Sequence, residues 1–428
     1  MMGRDDLEEL LDLAVSLGYR LMMSGAEISR AEEAVTRLLA AYDVPGDVFA
    51  IPNCLIVTVS PEDEEPVTRM RRIGSHGTDI DGMEHYYSLA RRLCIETPPP
   101  REAHEQLRVL KNTHVAYPAP VLYLGYFIAV TAFAVFFGGT LFDAVLAGLC
   151  GVLTGMFLRL MTRLRVNLFF QTMTAAFFIG TVSQTLSHFG VIRFADATAI
   201  GALMLLVPGM MMTDSMRDII YGDTMSGINK LVQVGLVAAA LLLGTGVALR
   251  LSHALWSAAS LGISLDVPYA WWIQVIAAAF ASGGYCILFN IRLPGIFVCM
   301  AGGGLGWGAY LLTVRLGGSD LFGYFAAAAS ISLYAEIMAR IRKFPAFSYL
   351  VIALLPLVPG GGVYYTVEYL LQGNPALSVS QAIRTASIAG LLAVGMLVVS
   401  TLFRMANVAK QLRKAKKADG TRKRRRAR

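Results

Sequence analysis

The stretch LVPGMMMTDSMRDIIYGD, residues 206–223, places Pro208 and Gly209 inside an apolar run and then adds charged side chains. Proline removes a backbone donor and clashes with the preceding helical turn, and glycine frees the backbone from helical geometry. The same break returns 151 residues later in LVPGGGVYYTVEYLLQGN, residues 357–374. A helix breaker that recurs in an apolar chain indicates an internal repeat, with an interrupted helix in each copy.

The repeat extends beyond the helix breaker. Residues 208–209 match 359–360, and the Gly-Asp pair 222–223 matches the Gly-Asn pair 373–374 at the same offset. Unpaired backbone groups in hydrocarbon are costly unless they are buried in protein or line a wet cavity. We therefore interpret the two breaks as lining a site at mid-membrane, where helix ends offer N–H groups to an anion and carbonyl groups to a cation. A plain proline kink is the alternative.

Composition sets the broad class of the protein. The chain is 55% apolar and only 16% charged, whereas soluble globular chains are about a quarter charged. Residues 1–117 carry 12 Lys/Arg against 20 Asp/Glu, and residues 118–428 carry 25 against 10. This asymmetry predicts an acidic, water-soluble N-terminal region joined to a membrane domain.

The membrane domain contains ten apolar windows, each near the roughly 20 residues that a bilayer requires. The windows are 118–137, 140–160, 167–187, 196–212, 231–250, 268–290, 293–313, 320–341, 346–366 and 383–403. The breaks fall in the fourth and ninth windows, so the repeat unit has five helices, and an odd number of spans inverts the second copy. The predicted fold is an α-helical polytopic membrane protein of about ten transmembrane helices in a 5+5 inverted repeat, preceded by a small α/β cytosolic domain.

The predicted domains follow from these windows. They are a cytosolic α/β domain and linker (1–117), two five-helix membrane repeats (118–250 and 268–403) and a basic cytosolic tail (404–428).

Lys and Arg in short loops predict the orientation, because cytosolic loops are enriched in them. The basic segments are 159–165, 340–343 and the tail that follows the last helix. With ten spans and a cytosolic N-terminus, all three fall on the cytosolic side. The sequence therefore predicts a multi-pass plasma-membrane protein with both termini cytosolic. The tail ends in RKRRRAR, which we interpret as a topological or lipid-contacting segment and not as a nucleic-acid site.

Acidic residues within or near apolar windows are the candidates for proton coupling. Glu336 lies inside the eighth window, where a carboxylate is costly and by default marks an ion or proton path. The alternative is a structural ion pair with Arg340, four residues later. Asp218 and Asp223 follow the first break and are further candidates, although a solvated face of a connector explains them equally well.

The second break is followed by its own polar group, in which Tyr364, Tyr365 and Glu368 take the place of the charges after the first break. The candidate substrate-binding residues are Pro208, Gly209, Pro359, Gly360 and Tyr364.

Residues 1–117 predict a small α/β domain. Helical periodicity covers 7–24, a second helix follows with Ser24 as its cap, and 46–60 alternates like a strand. A further strand is predicted near 67–73 and a helix at 81–94. This pattern indicates a domain of mixed structure without specifying its role.

No catalytic or metal-binding pattern is evident. His76, His85 and His104 show no triad or metal-ligand spacing, and the five cysteines form no CxxC pair. The chain has no GxxxxGK[ST] motif, so nothing supports ATP-driven transport. We therefore predict a protein that is not an enzyme and has no cofactor or metal.

The segments SGAEISRAEEAVTRLL, LVPGMMMTDSMRDIIYGDTMSG and LPLVPGGGVYY resemble the threonine/serine exporter family in its fused, single-chain form. The resemblance covers nearly the whole chain. It implies export of small hydrophilic amino acids driven by the proton gradient, ten spans and a cytosolic N-terminal domain. The positions that it carries over are Gly25, Glu27, Pro208, Gly209, Asp218, Gly222, Asp223, Glu336, Pro359 and Gly360. The second copy of the repeat differs from the first, because it has Asn374 in place of Asp223 and no counterpart of the Arg217-Asp218 pair.

The resulting prediction is a proton-coupled secondary exporter of threonine, serine or similar solutes. Its predicted partners are the small-molecule substrate, protons and membrane lipids, with no nucleic acid; a homo-oligomer is compatible with the sequence, which does not set the oligomeric state. Two alternatives remain open. One is a dicarboxylate exporter, a function associated with two-subunit relatives of the family. The other is a membrane-anchored sensor with a ligand-binding cytosolic domain.

Overall fold

The computed structural model describes residues 4–60, 65–74, 77–256, 269–342 and 345–426. His76, Lys343 and the last two residues of the basic tail lie outside these described residues. The chain divides into two compact units. The first is Met1–Gly125 with Tyr285–Ile296, and the second is Tyr126–Gly284 with Phe297–Arg428.

The N-terminal part of the first unit combines helices with one antiparallel sheet. Its elements are α1 (Arg4–Met23), α2 (Ile28–Ala41), β1 (Gly46–Ile51), β2 (Cys54–Val59), β3 (Val67–Arg72), α3 (Ile80–Glu96) and α4 (Pro100–Thr113), with strand order β1-β2-β3. Leu10 and Leu17 of α1 belong to the same buried apolar cluster as Leu55 and Val57 of β2. Removal of these side chains from water is the main force that holds the unit together.

Two predictions for this unit are wrong in detail. The predicted strand 46–60 is a hairpin that turns at Pro52 and Asn53, because both residue types favour turns. Ser24 does not cap α2, which begins four residues later. Instead, Gly25 adopts a left-handed conformation with φ of +94° directly after α1, where a side chain would be strained.

Twelve further helices lie in the described residues. They are α5 (Ala119–Phe136), α6 (Leu141–Arg163), α7 (Leu168–His188), α8 (Ala195–Leu203), α9 (Gly209–Tyr221), α10 (Thr224–Trp256), α11 (Trp271–Leu288), α12 (Gly295–Arg315), α13 (Asp320–Arg342), α14 (Ala346–Ala353), α15 (Gly360–Leu371) and α16 (Pro375–Arg426). Seven of them (α5, α6, α10, α11, α12, α13 and α16) are long and apolar enough to cross a membrane. The prediction of a polytopic helical membrane protein is confirmed.

The fourth and ninth predicted windows each contain two helices instead of one. Pro208 directly precedes α9 and Pro359 directly precedes α15, so both interruptions fall at the Pro-Gly pairs. Proline suits this position because the first N–H groups of a helix have no partner within the helix. The helix pairs α8–α9 and α14–α15 are therefore broken helices.

The helices around the two breaks keep a constant spacing in the chain. The first residues of α8 and α14, of α9 and α15, and of α10 and α16 are each 151 residues apart. Helix boundaries thus follow the same offset as the sequence motif.

The ends of the two motifs have a structural explanation. Gly222 and Gly373 follow α9 and α15 with φ of +99° and +74°, a left-handed conformation that glycine adopts without strain. Asp223 Oδ1 then accepts a bond from the Ser226 N–H (3.2 Å) at the start of α10. Asn374 Oδ1 accepts the equivalent bond, at 3.4 Å, at the start of α16. Asp and Asn are equally good helix N-caps, so the capping contact is present in both copies although Asp223 is replaced by Asn374.

A second pair of glycines extends the repeat into helix packing. A methyl group on Gly244 of α10 would overlap the carbonyl oxygen of Met173 in α7, and one on Gly395 of α16 would lie 2.8 Å from the carbonyl oxygen of Phe325 in α13. The two glycines are again 151 residues apart. Both close helix contacts therefore depend on the absence of a side chain.

Candidate functional site

The two broken helices meet at their Pro-Gly pairs within the second unit. A methyl group on Gly209 would overlap Cγ1 of Val358, and one on Gly360 would lie 2.7 Å from Cε of Met204 and 3.3 Å from Cγ1 of Val207. Helices α9 and α15 both begin at this contact. The first-turn N–H groups of both helices, which have no partner within their own helix, are therefore close together, with the positive ends of two helix dipoles. The Gly360 N–H among them donates to the Val358 carbonyl (2.7 Å).

A small enclosed cavity lies beside this contact, between α7, α8, α10 and α15. Its volume is about 20 Å³, which holds about one water molecule and is too small for an amino acid. Its lining consists of Gly180, Ser183, Gln184, Ala199, Leu203, Thr245, Leu249, Tyr364, Val367, Glu368 and Leu371. Leu203 is the last residue of α8 before the first break, and Tyr364 lies one turn into α15 after the second.

Three of the lining side chains carry buried polar atoms without a hydrogen-bond partner in the described structure. They are Ser183 Oγ, the Tyr364 hydroxyl and Glu368 Oε2. The last two belong to neighbouring side chains that interact with each other without an aligned hydrogen bond. Glu368 is only 2% exposed, and its other oxygen accepts a bond of 3.2 Å from Gln372. Most buried polar groups in proteins are paired, and an unpaired one costs about 1–3 kcal/mol. A concentration of such atoms around one cavity indicates a binding site.

Asp196, in the first turn of α8, adds a second carboxylate to this region. It interacts electrostatically with both Glu368 and Tyr364, and its Oδ1 is buried without a hydrogen-bond partner. Asp143 of α6 provides a contrast, because both its oxygens accept backbone N–H groups, from Thr140 (3.1 Å) and Arg193 (2.9 Å). Asp143 is thus fully paired by backbone N–H groups, whereas Glu368 and Asp196 each keep one carboxylate oxygen without a partner in the described residues.

The acids that the sequence suggested for proton coupling are not among the residues that line the cavity. Glu336 forms an ion pair of 2.8 Å with Arg340, which was the structural alternative. Asp218 forms an ion pair of 2.6 Å with Lys230, and Asp223 caps α10 as described above. Of the candidate site residues, the structure brings Tyr364 to the cavity and the two Pro-Gly pairs to the adjacent contact.

The repeat offset of 151 residues relates the cavity to a second location of different chemistry. Glu368 corresponds to Arg217, and Asp196 corresponds to Phe347. Arg217 lies over the Phe347 ring, with Cζ 5.5 Å from its centroid, and contacts Asp218 at 3.4 Å. The two positions therefore hold two acids in one half of the protein, and a base and an aromatic ring in the other half.

Sequence reasoning missed Asp196 and gave Ser183 no role, and it placed Glu368 outside the membrane core. Asp196 sits at the first position of the fourth window and Glu368 two residues past the ninth. The signal that was present is the spacing of Tyr364 and Glu368, which puts both on one helical face.

Comparisons with known proteins cover both halves of the chain. A family model described as "Putative threonine/serine exporter" matches residues 12–252, and one described as "Threonine/Serine exporter, ThrE" matches residues 274–402. A protein of Mycobacterium tuberculosis named "Probable threonine/serine exporter" is 23% identical over 410 residues, which are 90% of this chain and 75% of that protein. The "Threonine/serine exporter" of Corynebacterium glutamicum is 23% identical over 397 residues, 88% of this chain and 80% of that protein. No solved structure gives a significant match.

Proposed function

The chain belongs to the threonine/serine exporter family, and from this premise we propose that it is a secondary active exporter of threonine, serine or similar small hydrophilic amino acids. The resemblance read from the sequence is thereby confirmed at the level of the family. In this proposal the protein lies in the plasma membrane with both termini cytosolic, residues 1–117 form the cytosolic domain, and transport is coupled to protons.

The cavity with its unpaired polar atoms carries the proposal. Substrate amino acids bring an ammonium group, a carboxylate and, in threonine and serine, a hydroxyl. An ammonium donates to carboxylates, and Glu368 Oε2 is a buried acceptor with no other partner in the described structure. The hydroxyls of Ser183 and Tyr364 are hydrogen-bonding partners for the substrate hydroxyl. The three atoms thus match the polar groups that distinguish these substrates from apolar amino acids.

The contact between the two breaks, beside the cavity, is the proposed binding place of the substrate carboxylate. Helices α9 and α15 begin together at Gly209 and Gly360. Helix N-termini favour anions, and broken helices serve this purpose in other secondary transporters. Binding would therefore place the carboxylate at the breaks and the ammonium toward Glu368.

The constant offset of helix boundaries supports a repeat. The odd number of predicted spans in each copy would invert the second copy and allow alternating access. A cavity of about 20 Å³ is too small for an amino acid, so in this proposal it widens when the substrate binds. Rocking of one half against the other around the break contact would open it to either side.

The opposite charges of Glu368 and Arg217, at equivalent positions of the two halves, support a transport path that orients a zwitterionic amino acid. In an inverted repeat, Glu368 and Arg217 would lie on opposite sides of the break contact. We assign Arg217 to the cytosolic approach, where it attracts the substrate carboxylate, and Glu368 to the outer side, where it holds the ammonium.

Proton coupling is assigned first to Glu368, because it has an unpaired oxygen in the site itself. A proton and a substrate ammonium compete for the same carboxylate, and this competition exchanges one for the other across the membrane. Glu336, Asp218 and Asp223 remain the acids to be compared with it, each with a partner already in place.

Counterflow in proteoliposomes tests the substrate class. Vesicles that contain the purified protein are loaded with unlabelled threonine or with unlabelled succinate, and each batch is diluted into a trace of the same solute in labelled form. The proposal expects transient accumulation of threonine and none of succinate. Accumulation of succinate alone would favour the dicarboxylate alternative, and the absence of flux with either solute would favour the sensor.

A further inference from the structure

Three side chains of the first unit form a cluster separate from the cavity described above. Asp81 and His85 lie in the first two turns of α3, and His114 directly follows α4. Their ligand atoms all lie within 4.8 Å of one another. Asp81 and His85 are four residues apart on one face of α3, but His114 is distant in the chain. The cluster forms because the start of α3 lies beside the end of α4.

The distances within the cluster suit a tetrahedral ion. Ligand atoms at 2.0–2.1 Å from a tetrahedral zinc ion are about 3.3 Å from one another. His114 Nδ1 lies 3.4 Å from Asp81 Oδ2, and His85 Nδ1 lies 3.8 Å from the same oxygen. Small side-chain rotations, which the half-exposed ring of His85 allows, would complete the geometry.

Asp79 orients His114 as an outer carboxylate orients a metal-binding histidine. Its Oδ2 lies 2.7 Å from His114 Nε2. Its Oδ1 accepts from the Gly82 N–H (3.0 Å) and from Asn290 Nδ2 (2.8 Å), which fix the carboxylate in place. With the ring proton on Nε2, the lone pair of His114 Nδ1 faces the Asp81 carboxylate, an arrangement that a cation between the two atoms would stabilise.

Arg292 now supplies positive charge at this point. Its Nε lies 3.3 Å from Asp81 Oδ2, the oxygen that faces both histidines. The side chain is about half exposed. It also donates to the Val115 carbonyl and lies over the Tyr117 ring, and ion binding requires only that its contact with Asp81 is given up. His85 Nδ1 also contacts the Asp81 carbonyl oxygen at 2.7 Å and would give up this single bond.

We propose that Asp81, His85 and His114 form a binding site for a divalent transition-metal ion of the zinc class. Asp79 positions His114, and Arg292 competes with the ion for Asp81. Two imidazoles and one carboxylate suit Zn²⁺ and Co²⁺ better than Mg²⁺ or Ca²⁺. Three protein ligands leave a fourth position for water. The bound ion would join α3 to the segment that leads into α5.

Cobalt titration of the full-length protein tests the site independently of transport. The protein is purified in detergent through a tag without histidine, stripped with a chelator and titrated with Co²⁺. We expect the visible absorption of tetrahedral Co²⁺, removed by added Zn²⁺. Asp81→Asn and His114→Ala should abolish the spectrum, and His104→Ala, in α4 outside the cluster, should retain it. A wild-type protein without the spectrum, or an unchanged spectrum in His114→Ala, would overturn the proposal.

Two further variants keep the test valid if removal of a ligand disturbs the fold. Asp79→Asn should weaken metal binding about 10- to 100-fold while the three ligands stay in place. Arg292→Gln removes the competing guanidinium and should bind Co²⁺ more tightly than the wild type. A gain of affinity does not arise from misfolding, so weaker or equal binding by Arg292→Gln would contradict the assigned competition.

Discussion

Buried polar side chains of the second unit differ in whether the backbone satisfies them. Asp143 accepts the Thr140 N–H at the start of α6, and the partly buried Asp223 accepts the Ser226 N–H at the start of α10. Tyr364 and Glu368 each have an atom without an aligned hydrogen bond in the described residues. The sequence predicted that Tyr364 belongs to the site and that acids in apolar segments are functional. It did not separate capping acids from site acids, because hydrogen-bond partners depend on tertiary contacts that a residue pattern does not contain.

Asp223→Asn separates the capping role from the predicted role in proton coupling. Asn374 occupies the equivalent position and makes the equivalent bond, and the two residue types cap helices equally well. We expect normal melting temperature and normal proton-driven transport in the variant. Asp223→Ala should cost about 0.5–2 kcal/mol of stability. Loss of coupling in the Asn variant with an unchanged melting temperature would restore Asp223 as a proton carrier.

Tyr364→Phe tests whether the unpaired hydroxyl serves the substrate. The hydroxyl makes no aligned hydrogen bond, although it interacts with Glu368, so its removal should change the melting temperature little. It should raise KM for threonine about threefold to tenfold by the loss of one hydrogen bond to the substrate. Tyr334→Phe is the matched control. The Tyr334 hydroxyl donates to the Val298 carbonyl at 2.9 Å, so that variant should lose stability and keep its KM. The reverse pattern would give Tyr364 a structural role.

At the scale of elements, the interruption of two helices was predictable from Pro-Gly pairs in apolar windows. Their contact with each other was not, because local propensity says nothing about which helices meet. The close approach of α10 to α7 and of α16 to α13 also escaped the sequence patterns. Gly244 and Gly395 are single glycines in apolar helices, and only their shared offset marks them.

Gly209→Ala tests the contact between the breaks. The new methyl group would overlap Cγ1 of Val358, and overpacking of this kind costs about 1–3 kcal/mol. We expect a lower melting temperature and impaired transport, with recovery in the double variant Gly209→Ala/Val358→Ala. Gly235→Ala in α10 is the control, since no atom lies within 4 Å of the added group. Impairment that Val358→Ala fails to relieve would count against the contact.

At the scale of the whole molecule, the sequence predicted a helical membrane protein of the family that the comparisons identify. The repeat was predictable from the offset of 151 residues between the two motifs, because the helix boundaries around the breaks follow the same offset. The division of the chain into two units was harder to predict from the sequence. The connection between α11 and α12 belongs to the first unit through contacts such as the Asn290–Asp79 bond, and no pattern in an apolar segment encodes such a partner.

Reporter fusions test the inverted repeat, which remains a prediction. Fusions after Gly139 and after Asn374 are expected to be active outside the cell, and a fusion after Arg165 inside. The physical reason is that five spans per copy reverse the second copy, while basic loops remain cytosolic. A cytosolic reporter signal after Asn374 would remove the inversion.

Proton-driven accumulation of threonine tests the central claim, that Glu368 in the cavity couples protons to amino-acid export. Labelled threonine is measured in proteoliposomes with an imposed pH gradient, for the wild type, Glu368→Gln and Glu336→Gln. Glutamine keeps the shape of the side chain and cannot exchange a proton. We expect Glu368→Gln to lose accumulation. It should retain threonine exchange at equal concentrations, with a raised KM because the substrate ammonium loses its carboxylate partner. Glu336→Gln, which loses only an ion pair with Arg340, should accumulate threonine like the wild type. Normal accumulation by Glu368→Gln would contradict the account.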